Sequence, residues 1–251
     1  TGNTAAGLSG FRLDVLDGGT YSSTIRNSTV QGNNPAVGRA EFDVNLDGAG
    51  TSATFDIIGL QVNNSTRRGM QFIGTNGASL DLPRFNQVFA NDAVGFGLNI
   101  QLTNSNLVSM RTNIAHFNRS QNTGVNIQIT NATSPVDMLL QNFQAEDAGI
   151  NGINLELTNV DGDSVVRGSA VRAQRAKRGH GMRVIAPSMD ADDSLEFTLD
   201  GNTLLGFSQL NGLQLQVGGA LGSRATVGID GFNATGTKGT GVNIGFTGAV
   251  L

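Results

Sequence analysis

The chain has 251 residues, a formal charge of −4, and 35 glycines against 4 prolines, no cysteine and no tryptophan. Hydrophobic residues at 38 % exclude a disordered polymer, and scarce proline with aperiodic glycine excludes collagen. Zero cysteine removes disulfides, thiolate metal sites and thiol catalysis, the acidic balance suggests no nucleic-acid partner, and no apolar run approaches the ~20 residues of a membrane span.

In chain order, one pattern recurs: a glycine followed by apolar residues at alternate positions. It opens at Gly10 with Phe11, Leu13 and Val15, and a looser copy runs from Gly38 through Phe42 and Val44. Gly69 leads Met70 and Phe72. Three near-identical copies follow: Gly97-Leu98-Asn99-Ile100-Gln101-Leu102, Gly124-Val125-Asn126-Ile127-Gln128-Ile129 and Gly152-Ile153-Asn154-Leu155-Glu156-Leu157. The last copies begin at Gly181, Gly212 and Gly241. From Gly38 onward the intervals are 31, 28, 27, 28, 29, 31 and 29 residues.

Alternation of apolar and polar residues is the period of a half-buried strand. Between copies lies a second, weaker strand, as in Met138-Leu139-Leu140 or Leu195-Glu196-Phe197-Thr198-Leu199. An Asn or Gly and an apolar residue follow it: Gly59-Leu60 with Val62, Asn142-Phe143 with Ala145, Gly231-Phe232 with Ala234. Such a unit cannot bury its apolar face alone, so neighbouring copies must stack. The expectation is an all-β parallel β-helix solenoid of about nine coils over residues 1–251, a single domain. At ~4.8 Å per coil its length is roughly 40 to 45 Å. The glycine before each main strand is expected to supply a positive φ where the chain turns into the sheet.

The repeat length and strand–turn–strand pattern resemble right-handed parallel β-helices, the fold of pectate lyase-like proteins. The Asn/Thr/Gly-rich coils, such as Gly124-Val125-Asn126-Ile127-Gln128-Ile129-Thr130-Asn131, resemble repeat regions of large bacterial surface proteins. These resemblances imply right-handed coiling and an extracellular or cell-surface setting.

Stacking aligns equivalent residues into ladders. Asn99, Asn126 and Asn154 are expected to line up on the outer face beside Gln101, Gln128 and Glu156, with Thr103, Thr130 and Thr158 at the strand end. This polar strip offers hydrogen bonds to glycan hydroxyls, but amide stacking along the ladder is the simpler use. Polygalacturonase-like β-helix hydrolases use clustered aspartates and a Gly-His-Gly motif. The chain holds Gly179-His180-Gly181 and Asp192-Asp193, in the reverse of the family's order, and Gly181 is also the repeat glycine. If the chain is an enzyme of that type, the candidates are Asp190, Asp192, Asp193, His180 and Arg183. Carboxylates at Asp161, Asp163, Asp190 and Asp192 fall in neighbouring turns and could touch Ca²⁺; no other cofactor is expected.

Arg167, Arg172, Arg175, Lys177, Arg178 and Arg183 place six of 16 basic residues in one coil. This basic patch either receives an anionic partner or pairs with Glu146 and Asp147 one coil earlier, and pairing is preferred. The chain is read as a piece of something longer, because it does not begin with Met and neither end carries a capping helix. Its open ends are expected to meet other subunits or the rest of a longer chain. Function follows as an expectation: a non-enzymatic structural or adhesive module of the extracellular surface, with polysaccharide as a further partner. The alternatives are a pectin-degrading lyase or hydrolase and passive glycan binding.

Overall fold

A computed structural model describes residues 9–31 and 35–248. Among these residues there is no helix, and every strand pairing is parallel. The first sheet has nine strands. They are β1 (Phe11–Leu16), β3 (Ala40–Asp47), β5 (Arg68–Thr75), β7 (Leu98–Thr103), β9 (Val125–Ala132), β11 (Ile153–Val160), β13 (Met182–Ser188), β16 (Leu213–Gly219) and β19 (Val242–Gly248). The second sheet has eight: β2 (Thr20–Thr29), β4 (Ser52–Gln61), β6 (Ser79–Phe89), β8 (Asn106–His116), β10 (Asp137–Gln144), β12 (Asp163–Ser169), β14 (Ser194–Asp200) and β17 (Arg224–Ile229). The chain therefore makes about eight complete turns of a parallel β-solenoid.

A third, narrow face completes each coil. It holds the short pair β15 (Thr203–Leu204) and β18 (Phe232–Asn233) and the bridges Gln144–Arg172 and Arg172–Leu204. Single backbone bonds continue it: the amides of Ala90, Phe117, Ala145 and Ala173 donate to the carbonyls of His116, Gln144, Arg172 and Leu204, at 2.8–2.9 Å.

Three corners join the faces, and each needs a left-handed residue. Asn76, Asn104, Asn131 and Asn159 turn the first corner at φ between 49° and 58°. The second corner uses Gly59, Gln87, Ile114, Asn142 and Ala170, and the third uses Asn64, Asp92, Arg119, Asp147, Arg175 and Phe207. Asparagine and aspartate tolerate this region because their short polar side chains bond locally. Ile114 adopts the same conformation at φ 65°, an uncommon one for a β-branched residue. The Asn-or-Gly position noticed after the second strand is this second corner, and the apolar residues beside it, Leu60 and Phe143, are fully buried.

The core is a set of vertical columns. Register stacks Phe11, Phe42, Met70, Leu98, Val125, Ile153, Met182, Leu213 and Val242 on one another. Phe11 and Phe42 lie ring on ring at 4.4 Å, and Phe42, Phe55 and Phe72 pack within 6.3 Å centroid to centroid. Each such side chain removed from water stabilises by about 1.5–3 kcal/mol.

The register corrects two expectations about glycine. The position before the main strand runs Gly10, Glu41, Gly69, Gly97, Gly124, Gly152, Gly181, Gly212 and Gly241, so the second copy begins at Glu41 and not at Gly38. The reason for glycine is also different. From Gly69 to Gly241 none of these glycines has a positive φ. A Cβ on Gly97 would stand 2.8 Å from the Gly124 carbonyl oxygen and 2.8 Å from Cβ of Phe117. On Gly152 it would meet the Gly181 oxygen at 2.6 Å and the Ala145 oxygen at 2.7 Å. Close approach of backbone to backbone excludes the side chain.

Gly97→Ala should therefore lower stability by about 1–3 kcal/mol, the usual cost of overpacking. Gly245→Ala, whose Cβ would meet nothing within 4 Å, should leave it unchanged. Denaturant midpoints of the two variants measure the contrast, and equal midpoints would refute the packing argument.

Candidate functional site

The outer face of the first sheet carries the polar strip. One column reads Arg12, Asp43, Gln71, Asn99, Asn126, Asn154, Arg183, Gln214 and Asn243. Its middle amides are buried, Asn99, Asn126 and Asn154 being 0 %, 5 % and 6 % accessible, whereas Asn243 in the last described coil is exposed. The expectation that these three residues lie exposed on the outer face is corrected: they are buried.

They form a directional chain. Arg183 donates to Asn154 Oδ1 at 2.8 Å, Asn154 to Asn126 at 2.9 Å, and Asn126 to Asn99 at 2.8 Å. Asn99 then donates to Gln71 Oε1 at 3.4 Å, and Gln71 to Asp43 Oδ1 at 3.0 Å. The neighbouring column runs the opposite way: Gln101 donates to Gln128 at 3.0 Å and Gln128 to Glu156 at 3.4 Å. Residue chemistry dictates these ends. A guanidinium only donates and a carboxylate only accepts, whereas an amide does both and can continue a chain. Arg183 closes both ladders, donating to Asn154 and lying 3.7 Å from Glu156. The departures from Asn and Gln at Asp43, Glu156 and Arg183 are therefore chain terminators. A shallow trough of about 290 Å³ remains along this face, lined by Gln101, Gln128, Glu156 and the column Thr75, Thr103 and Thr130. That threonine column continues through Thr158 to Ser188 across a bulge.

The third corner carries a charge ladder. Arg119 binds Asp92 through both nitrogens at 2.6 Å, and Arg175 binds Asp147 at 2.7 and 2.9 Å while also reaching Glu146. Hydrogen bonds from the arginines hold Asp92 and Asp147 below the usual carboxylate range. The pairing expected for Arg175 is present, and Lys177 adds only a longer-range attraction to Asp147.

The rest of the basic run does not converge. Arg167 on the second sheet pairs with Glu196, Arg172 lies on the third face, Arg178 donates to the Gly149 carbonyl, and Arg183 belongs to the first sheet. One turn of chain spreads its charges round all three faces.

The enzyme candidates are separated in the same way. His180 sits before β13 and its Nδ1 accepts the Asn211 amide at 3.2 Å, while Asp190, Asp192 and Asp193 lie beyond the far end of that strand. A seven-residue strand stands between them, on the order of 20 Å at its usual rise. His180 and Arg183 are thus set apart from the aspartates, of which Asp190 and Asp193 lie close together. In the acidic turn, Asp161, Asp190 and Asp193 bring one oxygen each within 4.8 Å of one another. Asp163 instead accepts from Ser194 at 2.6 Å, and Asp192 stays outside the group. Asp193 is nearly buried and accepts the Gly162 amide at 2.7 Å and the Asp190 amide at 2.8 Å. Each of its oxygens accepts one amide and so closes the turn, with Asp161 and Asp190 presenting carboxylate oxygens beside it. Sequence reasoning missed the backbone role of Asp193; its spacing of three from Asp190 was the available signal.

A cleft of about 830 Å³ opens at the first described coil, lined by Phe11, Thr24–Val30 and Phe42. No helix among the described residues is long and apolar enough to cross a membrane. No family model, curated protein or solved structure matches this chain.

Asn126→Ala should cost about 1–3 kcal/mol, because the Asn99 oxygen and the Asn154 amide lose their shared partner in a buried place. Arg119→Ala, which breaks an exposed pair, should cost less than about 1 kcal/mol. Similar losses for the two would refute the buried-ladder argument. A second expectation concerns acid. Burial holds His116 and His180 below the ordinary imidazole value, so the unfolded chain takes up protons first. Stability is then full above about pH 6.5 and falls as pH drops below it, with a further loss under about pH 4 as Asp92 and Asp147 protonate. Melting temperature between pH 8 and 5 should fall less in a His116→Gln, His180→Gln variant than in the parent chain.

Proposed function

We propose that this chain is a non-enzymatic structural module, a stalk, spacer or assembling element of an extracellular or cell-surface protein. The observation that carries the reading is the double amide ladder. The outward positions where a β-helix enzyme would present reactive groups are occupied here by coil-to-coil hydrogen bonds. A fold that spends its polar side chains on its own vertical register is suited to holding length and shape. The surface setting rests on the resemblance of the Asn/Thr/Gly-rich coils to bacterial surface repeats, and the pectate lyase-like resemblance on repeat length and strand pattern.

The trough beside Gln101, Gln128 and Glu156 favours one second reading, passive glycan binding through half-buried amides and threonines. Screening acidic polysaccharides for reducing or unsaturated ends, with and without Ca²⁺, tests the main proposal. The expected result is no release. Turnover that disappears in an Asp192→Ala, Asp193→Ala double variant would overturn it.

A further inference from the structure

Along the solenoid, arginines are matched by acids one coil away: Arg84 by Asp56, Arg111 by Asp137, Arg119 by Asp92, Arg167 by Glu196 and Arg175 by Asp147. Arg172 and Arg178 have no such match among the described residues, and at one further place three arginines come together. Arg39, Arg67 and Arg68 line a hollow of about 250 Å³ together with Val94, Phe96 and Asn122. The nearby acids of β3, Glu41 and Asp43, are buried and do not line it.

The three guanidinium groups differ in how they are held. Arg39 lies 3.3 Å from Asp43. Arg68 donates to the Gly38 carbonyl at 3.1 Å and to Gln71 Oε1, and its guanidinium carbon stands 5.6 Å from the centre of the Phe96 ring. Arg67 is exposed, and its guanidinium has no hydrogen bond or ion pair among the described residues. The frame around it is fixed by backbone: the Gly95 amide donates to the Arg67 carbonyl at 2.6 Å and the Asn122 amide to the Gly95 carbonyl at 3.3 Å. Three successive coils thus hold the hollow in shape, so little ordering remains for binding to supply.

We propose that this hollow binds an organic oxyanion, a carboxylate, sulfate or phosphate head on a small apolar stem. The free fork of Arg67 matches two oxygens of such a head, while Arg39 and Arg68 beside it are in part compensated by Asp43 and leave Arg67 as the main charge. Val94, which is exposed, and Phe96 offer the stem an apolar wall. A bare inorganic anion would leave that wall uncovered, and a neutral stem would leave Arg67 unmatched.

Titrations followed by amide chemical shifts test this with phenyl phosphate, benzoate, inorganic phosphate and benzyl alcohol as probes. Saturable shifts centred on Arg67, Gly95 and Asn122 are expected for phenyl phosphate or benzoate, and which binds tighter names the head group. Inorganic phosphate should bind more weakly. Arg67→Ala should weaken binding at least about tenfold, as loss of one charge-assisted bidentate contact implies. Arg111→Ala, which changes net charge equally on another face, should bind as the parent does. The proposal is overturned if neither aromatic anion saturates, if Arg67→Ala binds unchanged, if Arg111→Ala weakens binding as much, or if benzyl alcohol binds as tightly.

Discussion

Successive coils must lie in vertical register at backbone hydrogen-bond distance, and the remaining structure depends on that constraint. Where the main strand begins, the approach is so close that a carbonyl oxygen occupies the place of a Cβ, which is why a column of glycines runs from Gly69 to Gly212. Once that column sets the spacing, every other position stacks on its own counterpart. Side chains then form columns, and a column has chemical rules of its own.

Apolar columns interdigitate and exclude water. Polar columns must agree on hydrogen-bond direction, because each member has one neighbour above and one below. Asparagine and glutamine suit the middle and a donor-only or acceptor-only group suits an end, which accounts for Arg183, Asp43 and Glu156. Charged columns must alternate in sign, and the sequence Asp92, Arg119, Asp147, Arg175 at the third corner does so. At the hollow three arginines gather on neighbouring coils, and the Arg67 guanidinium pairs with no acid among the described residues.

Much of this was legible in residue order. The repeat of 27 to 31 residues and its alternation gave the parallel solenoid, because a strand that must stack on its own copy leaves few alternatives. The Asn-or-Gly position after the second strand was visible as a corner residue, and Arg175 against Glu146 and Asp147 followed from counting back one coil. Other parts were hidden for definite reasons. Glu41 replaces glycine at the second coil, so a search for glycine slid to Gly38. The burial of Asn99 and Asn126 depends on what covers the strand, which alternation does not encode. His180 and Asp192 belong to one coil, yet a strand intervenes between them.

The sequence by itself determined the period, the strand character and the identity of the stacking columns, because these follow from spacing along one chain. Only the tertiary structure decided which polar residues are buried, which carboxylates close a turn, and which arginines are left without an acid. Those outcomes depend on distances between coils and on the groups that cover each face. Separation along the chain does not carry that information.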